Sequence, residues 1–233
     1  TTYLRGDGTW AQASLSSDSY DNTWAGTGSF AAGQGTTIDN NSAYGSYSLY
    51  SNSTGNSNSA FGNSSLFYNI NGNNNSAFGR SALLLNTSGN YNTAIGVNAL
   101  GNNLNGNQNT AIGQGSLSGN DSGYENTALG SRALANNVAG FHNTALGYQA
   151  DVGSNNLTNA TAIGSEAMVN SSNTIQLGNT DVTSINTSGK LTTGVVTYPN
   201  TDGTANQILK TNGSGTLSWT TVPTIDTTSY QIE

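Results

Sequence analysis

The chain has 233 residues, a net charge of −7 and no cysteine, and only 7% of its residues are charged. The absence of cysteine excludes disulfides and thiolate chemistry, and an acidic chain without a basic cluster argues against nucleic-acid binding. No run of 18 apolar residues occurs, so we expect no transmembrane helix and no membrane insertion.

Residues 1–21 precede the regular part of the chain, and we predict that they form a small hairpin or linker module. A degenerate first unit follows at Asn22-Thr23-Trp24-Ala25-Gly26. A phrase Asn-(Ser/Thr)-Ala-(aromatic or aliphatic)-Gly then recurs every 17 residues, with only its first residue changed in the last copy. Its glycines are Gly45, Gly62, Gly79, Gly96, Gly113, Gly130, Gly147 and Gly164. A short unit repeated in strict register predicts a solenoid over residues 22–180.

The columns of the repeat predict the shape of one coil. A leucine stands four residues after most of these glycines, an aliphatic or aromatic residue directly before each, and Asn and a second Gly recur between them. We interpret the unit as two short extended segments separated by two turns, with Gly and Asn at the turns. We expect both apolar columns, including Ile112, to point inward, and coils to stack at about 4.8 Å.

Residues 181–233 are predicted to form a C-terminal β module and linker. Leu209 to Trp219 reads as two strands around an Asn-Gly-containing turn, which indicates a hairpin.

The apolar content of 33% is low for a compact monomer. Each coil would then have a thin core, and association of several chains would supply the missing burial. Trimerisation is the natural route for a thin fibre, so we expect a homotrimer.

The phrase (Ser/Thr)-Ala-Ile-Gly-x-x-(Ala/Ser)-Leu resembles the head repeats of trimeric autotransporter adhesins. It also resembles segments of phage tail fibres that lie upstream of endosialidase-type intramolecular chaperones. Leu4-Arg5-Gly6-Asp7-Gly8-Thr9-Trp10 and residues 209–219 are similar to phrases of such fibre proteins. The resemblance implies an all-β fold, a left-handed parallel β-roll in a homotrimer, flanked by small β-hairpin modules.

The same resemblance implies a structural function: a rigid trimeric shaft or head of a phage tail fibre for host-receptor attachment. The expected location is extracellular, on the virion, with other tail or fibre proteins as partners. The alternative is a bacterial surface adhesin head that binds host or matrix. A polysaccharide depolymerase is a distant alternative, and we expect no enzymatic activity.

One turn interrupts the polar pattern and is the candidate receptor-binding site, for a cell-surface glycan or protein. Tyr124 and Phe141 replace the Asn of earlier coils, and Glu125 and His142 follow them. One coil apart, the two rings should stack about 4.8 Å apart. Packing of the rings within the ladder, or between chains, is the competing interpretation.

Other sites find little support. His142 is the only histidine and has no evident partners for a catalytic triad or metal, so we expect no metal and no cofactor. Asp121 and Glu125 share a turn and could form a glycosidase pair, but solvated charges are the simpler interpretation. The Ser/Thr column, from Ser42 to Thr161, leaves ice binding as a minor alternative to hydrogen bonding between coils.

Overall fold

The computed structural model of the protein describes residues 2–4, 10–12, 16–17, 21–32, 38–186, 188, 191–194, 196–199 and 203–222. Residues 5–9 of the N-terminal phrase lie outside this part. The chain divides into two compact units, Thr1–Asp181 and Val182–Glu233. The described residues form short strands and no α-helix, so this part of the chain is all-β.

The first unit is a parallel β-solenoid of about nine coils. At its start, β1 (Thr2–Leu4) pairs antiparallel with β2 (Trp10–Gln12), and β3 (Ser16–Ser17) pairs antiparallel with β4 (Thr23–Ala25). The remaining strands are β5 (Ser42–Tyr44), β6 (Ser59–Phe61), β7 (Ser76–Phe78), β8 (Thr93–Ile95), β9 (Thr110–Ile112), β10 (Thr127–Leu129), β11 (Thr144–Leu146), β12 (Asp151–Val152), β13 (Thr161–Ile163), β14 (Met168–Val169) and β15 (Ile175–Leu177).

A single sheet in the order β15-β13-β11-β10-β9-β8-β7-β6-β5-β4-β3 runs through the stacked coils. From β4 onward its strands are parallel and pair residue for residue, as at Ala94 and Ala111. The pairing confirms the predicted coil of 17 residues. The last full step, from Ile163 to Leu177, is shorter, as the spacing of their glycines indicates.

The prediction of two extended segments per coil is wrong for most coils. Only the first segment is a strand, and the second is a run of turns, except where β12 pairs with β14. In that run the column leucines adopt a left-handed conformation, with φ of 50° at Leu100 and 49° at Leu117. Such a residue interrupts an extended strand, although hydrogen bonds still join the coils, as from Leu100 N–H to Ser116 O at 2.9 Å.

The leucine column is buried, as predicted, but the column before the glycine is not. Leu100 and Leu117 are fully buried, whereas Ile95 is 42% and Leu129 45% exposed. Successive strand residues face opposite sides, and in β5 to β11 and in β13 the central alanine takes the inner side. Its neighbours therefore face outward, which places Ile112 on the surface face of the sheet, half-buried between Ile95 and Leu129.

Asparagine forms much of the core. In one column each amide accepts the backbone N–H of the next coil, as Asn92 does from Asn109 at 3.0 Å. In the other, side chains bond each other, as from Asn103 Nδ2 to Asn86 Oδ1 at 2.7 Å. No buried side-chain polar atom of the described residues lacks a hydrogen-bond partner. The buried members are Asn22, Asn41, Asn52, Asn58, Asn69, Asn75, Asn86, Asn92, Asn103, Asn109, Asn120, Asn126, Asn137 and Asn143.

The two glycine columns exist for different reasons. Gly96 has φ of +135°, and a Cβ there would lie 2.6 Å from Gly113 O of the next coil. Gly106 has no positive φ, but a Cβ there would lie 2.3 Å from Asn103 Oδ1 and 2.4 Å from Gly123 O. The first column needs glycine for its backbone conformation and for space, and the second for space alone.

The second unit contains two antiparallel pairs. β16 (Leu191–Thr193) pairs with β17 (Val196–Tyr198), and β18 (Gln207–Thr211) pairs with β19 (Leu217–Thr221). The β18–β19 connection is closed by a hydrogen bond from Asn212 N–H to Thr216 O at 3.1 Å.

Candidate binding site

The aromatic turn consists of two stacked rings on adjacent coils. The ring centroids of Tyr124 and Phe141 lie 4.8 Å apart, and the ring planes differ by 4°, which confirms the predicted stacking. Tyr124 is 38% exposed. Phe141 also forms a parallel bridge with Thr158 of the following coil. The stack therefore follows the coil axis and leaves part of Tyr124 in contact with solvent.

The two candidate polar residues lie beside this stack. Glu125 and His142 occupy the same column, with left-handed φ values of 53° and 57°. His142 Nε2 lies 2.6 Å from Glu125 Oε2, and both side chains are about half exposed. The His142 ring also contacts both aromatic rings edge-on. The structure thus brings all four predicted site residues together.

The aromatic stack terminates a ladder of asparagines on the same side of the coils. Asn56 N–H donates to Asn73 Oδ1 at 2.9 Å, and the same bond joins Asn73 to Asn90 and Asn90 to Asn107. The residue that would accept from Asn107 is Tyr124, which has no amide. The backbone N–H of Asn107 consequently makes no hydrogen bond with any described residue, and its Nδ2 bonds only Asn105 O.

An open groove of about 420 Å³ lies at this break in the ladder. Its lining residues are Asn90, Tyr91, Asn107, Gln108 and Tyr124. Tyr91 is 62% exposed and stands two coils before Tyr124. Tyr91 and Gln108 are not among the four residues of the predicted site. The sequence did contain a signal for Tyr91: it is an aromatic residue directly after Asn90 of the Asn column, two coils before the aromatic turn.

A second open groove, of about 600 Å³, surrounds the residue that replaces leucine in the core column. Asp151 is 5% exposed, and its Oδ1 accepts the backbone N–H of Val152 at 2.8 Å. Burial raises the pKa of the Asp151 carboxyl to about 6, although backbone hydrogen bonds from Val152, Asn136 and Ala135 oppose the shift. Arg132 and Glu166 also line the groove.

The described ranges contain neither a cluster of metal-ligand side chains nor a membrane-spanning helix. No group of three or more His, Cys, Asp or Glu side chains there could hold a metal ion. None of the described segments is a helix of the length and apolarity needed to cross a bilayer. A scan against models of protein families and a search of curated proteins both find no match for this sequence.

Proposed function

We propose that the chain is a structural segment of an extracellular attachment fibre, most consistent with a phage tail fibre, and that three copies associate through the sheet. In this proposal the coils wind left-handed, as in the repeats that the sequence resembles. The segment is a stiff support that carries or contributes to host-receptor contact, and it has no enzymatic activity.

The observation that supports association is the uninterrupted outward apolar column of the sheet. Its members are aromatic at one end, where Tyr44, Phe61 and Phe78 stack with centroids 4.9 and 5.0 Å apart, and aliphatic beyond. Ile95, Leu129, Leu146, Ile163 and Leu177 are 37–45% exposed. A continuous apolar stripe of this length marks an interaction surface. Because the same column recurs in every copy of the chain, a second and third copy are its natural partners.

Sedimentation equilibrium tests this proposal. The parent should sediment at three times the 23.8 kDa chain mass. Ile95→Asn combined with Leu129→Asn should shift the protein towards folded monomers, since both side chains lie on the sheet face. Val97→Asn with Leu104→Asn is the matched control, because these residues are 38% and 41% exposed but belong to other columns. A folded monomeric parent, or equal dissociation of the control, would refute the sheet interface.

The biological setting needs a separate observation. Immunogold electron microscopy should place the chain on tail fibres of a phage particle. Labelling of a bacterial surface instead would favour the alternative, an adhesin head. Incubation with host capsular polysaccharide, followed by an assay for new reducing ends, tests the depolymerase alternative, and their release would contradict a purely structural function.

A further inference from the structure

We propose that the groove between Tyr91 and Tyr124 binds a neutral pyranose unit of a surface glycan. This inference specifies the ligand class for the attachment part of the proposed function. It adds Tyr91, Asn107 and Gln108 to the candidate site, and it assigns the break in the asparagine ladder a function.

The first argument is that Asn107, which lines the groove, has a backbone N–H with no hydrogen-bond partner among the described residues. Every earlier member of the ladder satisfies its backbone N–H with the amide of the next coil, as Asn90 does with Asn107 at 2.9 Å. Tyr124 removes that acceptor, so the N–H of Asn107 faces a coil that offers no oxygen to it. A ligand hydroxyl can accept this bond. The amide of Gln108 adds a donor and an acceptor in the same groove.

The second argument is the pair of tyrosines that flank these amides. Tyr91 is 62% and Tyr124 38% exposed, and stacking on Phe141 holds the Tyr124 ring in one orientation. Such rings pack against the C–H-rich face of a sugar ring, while their hydroxyls remain available to its polar edge. An open groove of about 420 Å³ is also within the range of small-ligand sites.

The third argument concerns charge. Asn90, Tyr91, Asn107, Gln108 and Tyr124, which line the groove, carry no charge at neutral pH. Glu125, a charged residue of the same turn, is in contact with His142. A uronic acid or another anionic sugar would therefore bring a carboxylate to a site without a cation, in a protein of net charge −7. A neutral hexose or N-acetylhexosamine fits the lining better.

Saturation-transfer difference NMR on the whole chain tests the proposal. The probes are methyl β-D-glucopyranoside, methyl β-D-galactopyranoside and methyl N-acetyl-β-D-glucosaminide, with methyl β-D-glucuronide as the anionic comparison. At least one neutral probe should receive saturation, strongest at the C–H protons of one ring face. The glucuronide should bind at least tenfold more weakly.

Two variants locate the site. Tyr124→Asn restores the ladder residue, and Tyr91→Ser introduces the residue that Ser57 supplies at the same position of an earlier coil. Each should reduce binding at least tenfold, whereas Tyr148→Ser, at a tyrosine that is 50% exposed on another column, should not.

Absence of saturation for every neutral probe, or unchanged binding in both variants, would overturn the proposal, as would equal binding of the glucuronide. Sedimentation of the same samples reports association separately, so a failed sugar site and a failed trimer remain distinguishable.

Discussion

Because buried asparagines form much of the core, we expect one buried amide side chain to contribute more to the free energy of unfolding than most surface side chains do. Asn92 lies in the middle of the stack and is fully buried. Its Nδ2 donates to Asn75 Oδ1 at 3.2 Å and to Gly106 O at 2.8 Å. Its Oδ1 accepts from Asn109 N–H at 3.0 Å and from Asn109 Nδ2 at 3.2 Å. Asn92→Ala removes all four hydrogen bonds.

The hydrogen-bond partners of Asn92 are affected to different degrees by its removal. Gly106 O still accepts from Asn103 Nδ2 at 2.9 Å, and Asn109 Nδ2 still donates to Gly123 O at 2.8 Å. The backbone N–H of Asn109 has no second acceptor among the described residues and becomes a buried unsatisfied donor, which costs about 1–3 kcal/mol. With the net loss of the other bonds, at about 1 kcal/mol in total because their partners are partly satisfied, we expect a decrease of about 2–4 kcal/mol in the free energy of unfolding.

Urea unfolding monitored by circular dichroism measures this decrease. The protein concentration is held fixed, because association affects apparent stability. Asn105→Ala is the matched control, since the Asn105 side chain is exposed and makes no hydrogen bond with the described residues. The control should change stability by less than about 0.5 kcal/mol. If both variants lose the same amount, or if Asn92→Ala matches the parent, the asparagine core does not stabilise the fold as the hydrogen bonds imply.

Three further predictions concern single positions. Gly96→Val should prevent stacking, with a loss above about 2 kcal/mol, because its φ is +135° and a Cβ would meet Gly113 O at 2.6 Å; an unchanged melting temperature would contradict this. Leu117→Asn should destabilise the folded chain by about 2–4 kcal/mol. Ile112→Asn should instead weaken association and leave the folding of the monomer almost unchanged. Equal effects of the two variants on urea unfolding would refute the inward position of Leu117 and the outward position of Ile112. The pKa of Asp151 is raised to about 6, so this carboxyl should make the free energy of unfolding greatest below about pH 4 and lower as the pH rises to about 6. The decrease is at most about 3 kcal/mol before screening by solvent in the groove. Asp151→Leu should abolish this decrease, and a decrease that persists in the variant would come from other groups.

The period and the leucine column could be predicted from the sequence because both depend on strict repetition. A glycine at every seventeenth position, such as Gly96 and Gly113, fixes which residues lie above one another, whatever the local conformation. The burial of Leu117 follows from the same logic, since a stacked column of large apolar residues needs a shared interior. Stacking of Tyr124 on Phe141 was predictable for the same reason.

The outward direction of Ile112 was not predictable from the apolar pattern. A strand of three residues is too short to show an alternation, and both Ala111 and Ile112 are apolar. Only the structure shows that the small residue is inside: the interior between the sheet and the leucine column accepts alanine, and the larger neighbour must take the other face.

The burial of the asparagines was not predictable, for a different reason. Asn is common in turns, so a column of Asn reads as a turn marker. When identical amides repeat in register, however, each can donate to and accept from the next, as in the ladders of cross-β assemblies. Asn92 and Asn103 therefore belong to the core. The column of Asn92 ends at Ala160, whose backbone N–H donates to Asn143 Oδ1 at 2.9 Å.

These two findings change the reason for expecting association. The low apolar content of the chain suggested that a lone solenoid lacks a sufficient core, but the buried amides of the described coils satisfy one another. The buried amides of a coil stack thus find their hydrogen-bond partners within one chain. What remains unsatisfied is the outward column around Ile95 and Leu129, which faces water in a single chain. If copies associate as proposed, folding and association depend on different columns, and substitutions at Leu117 and at Ile112 should separate the two processes.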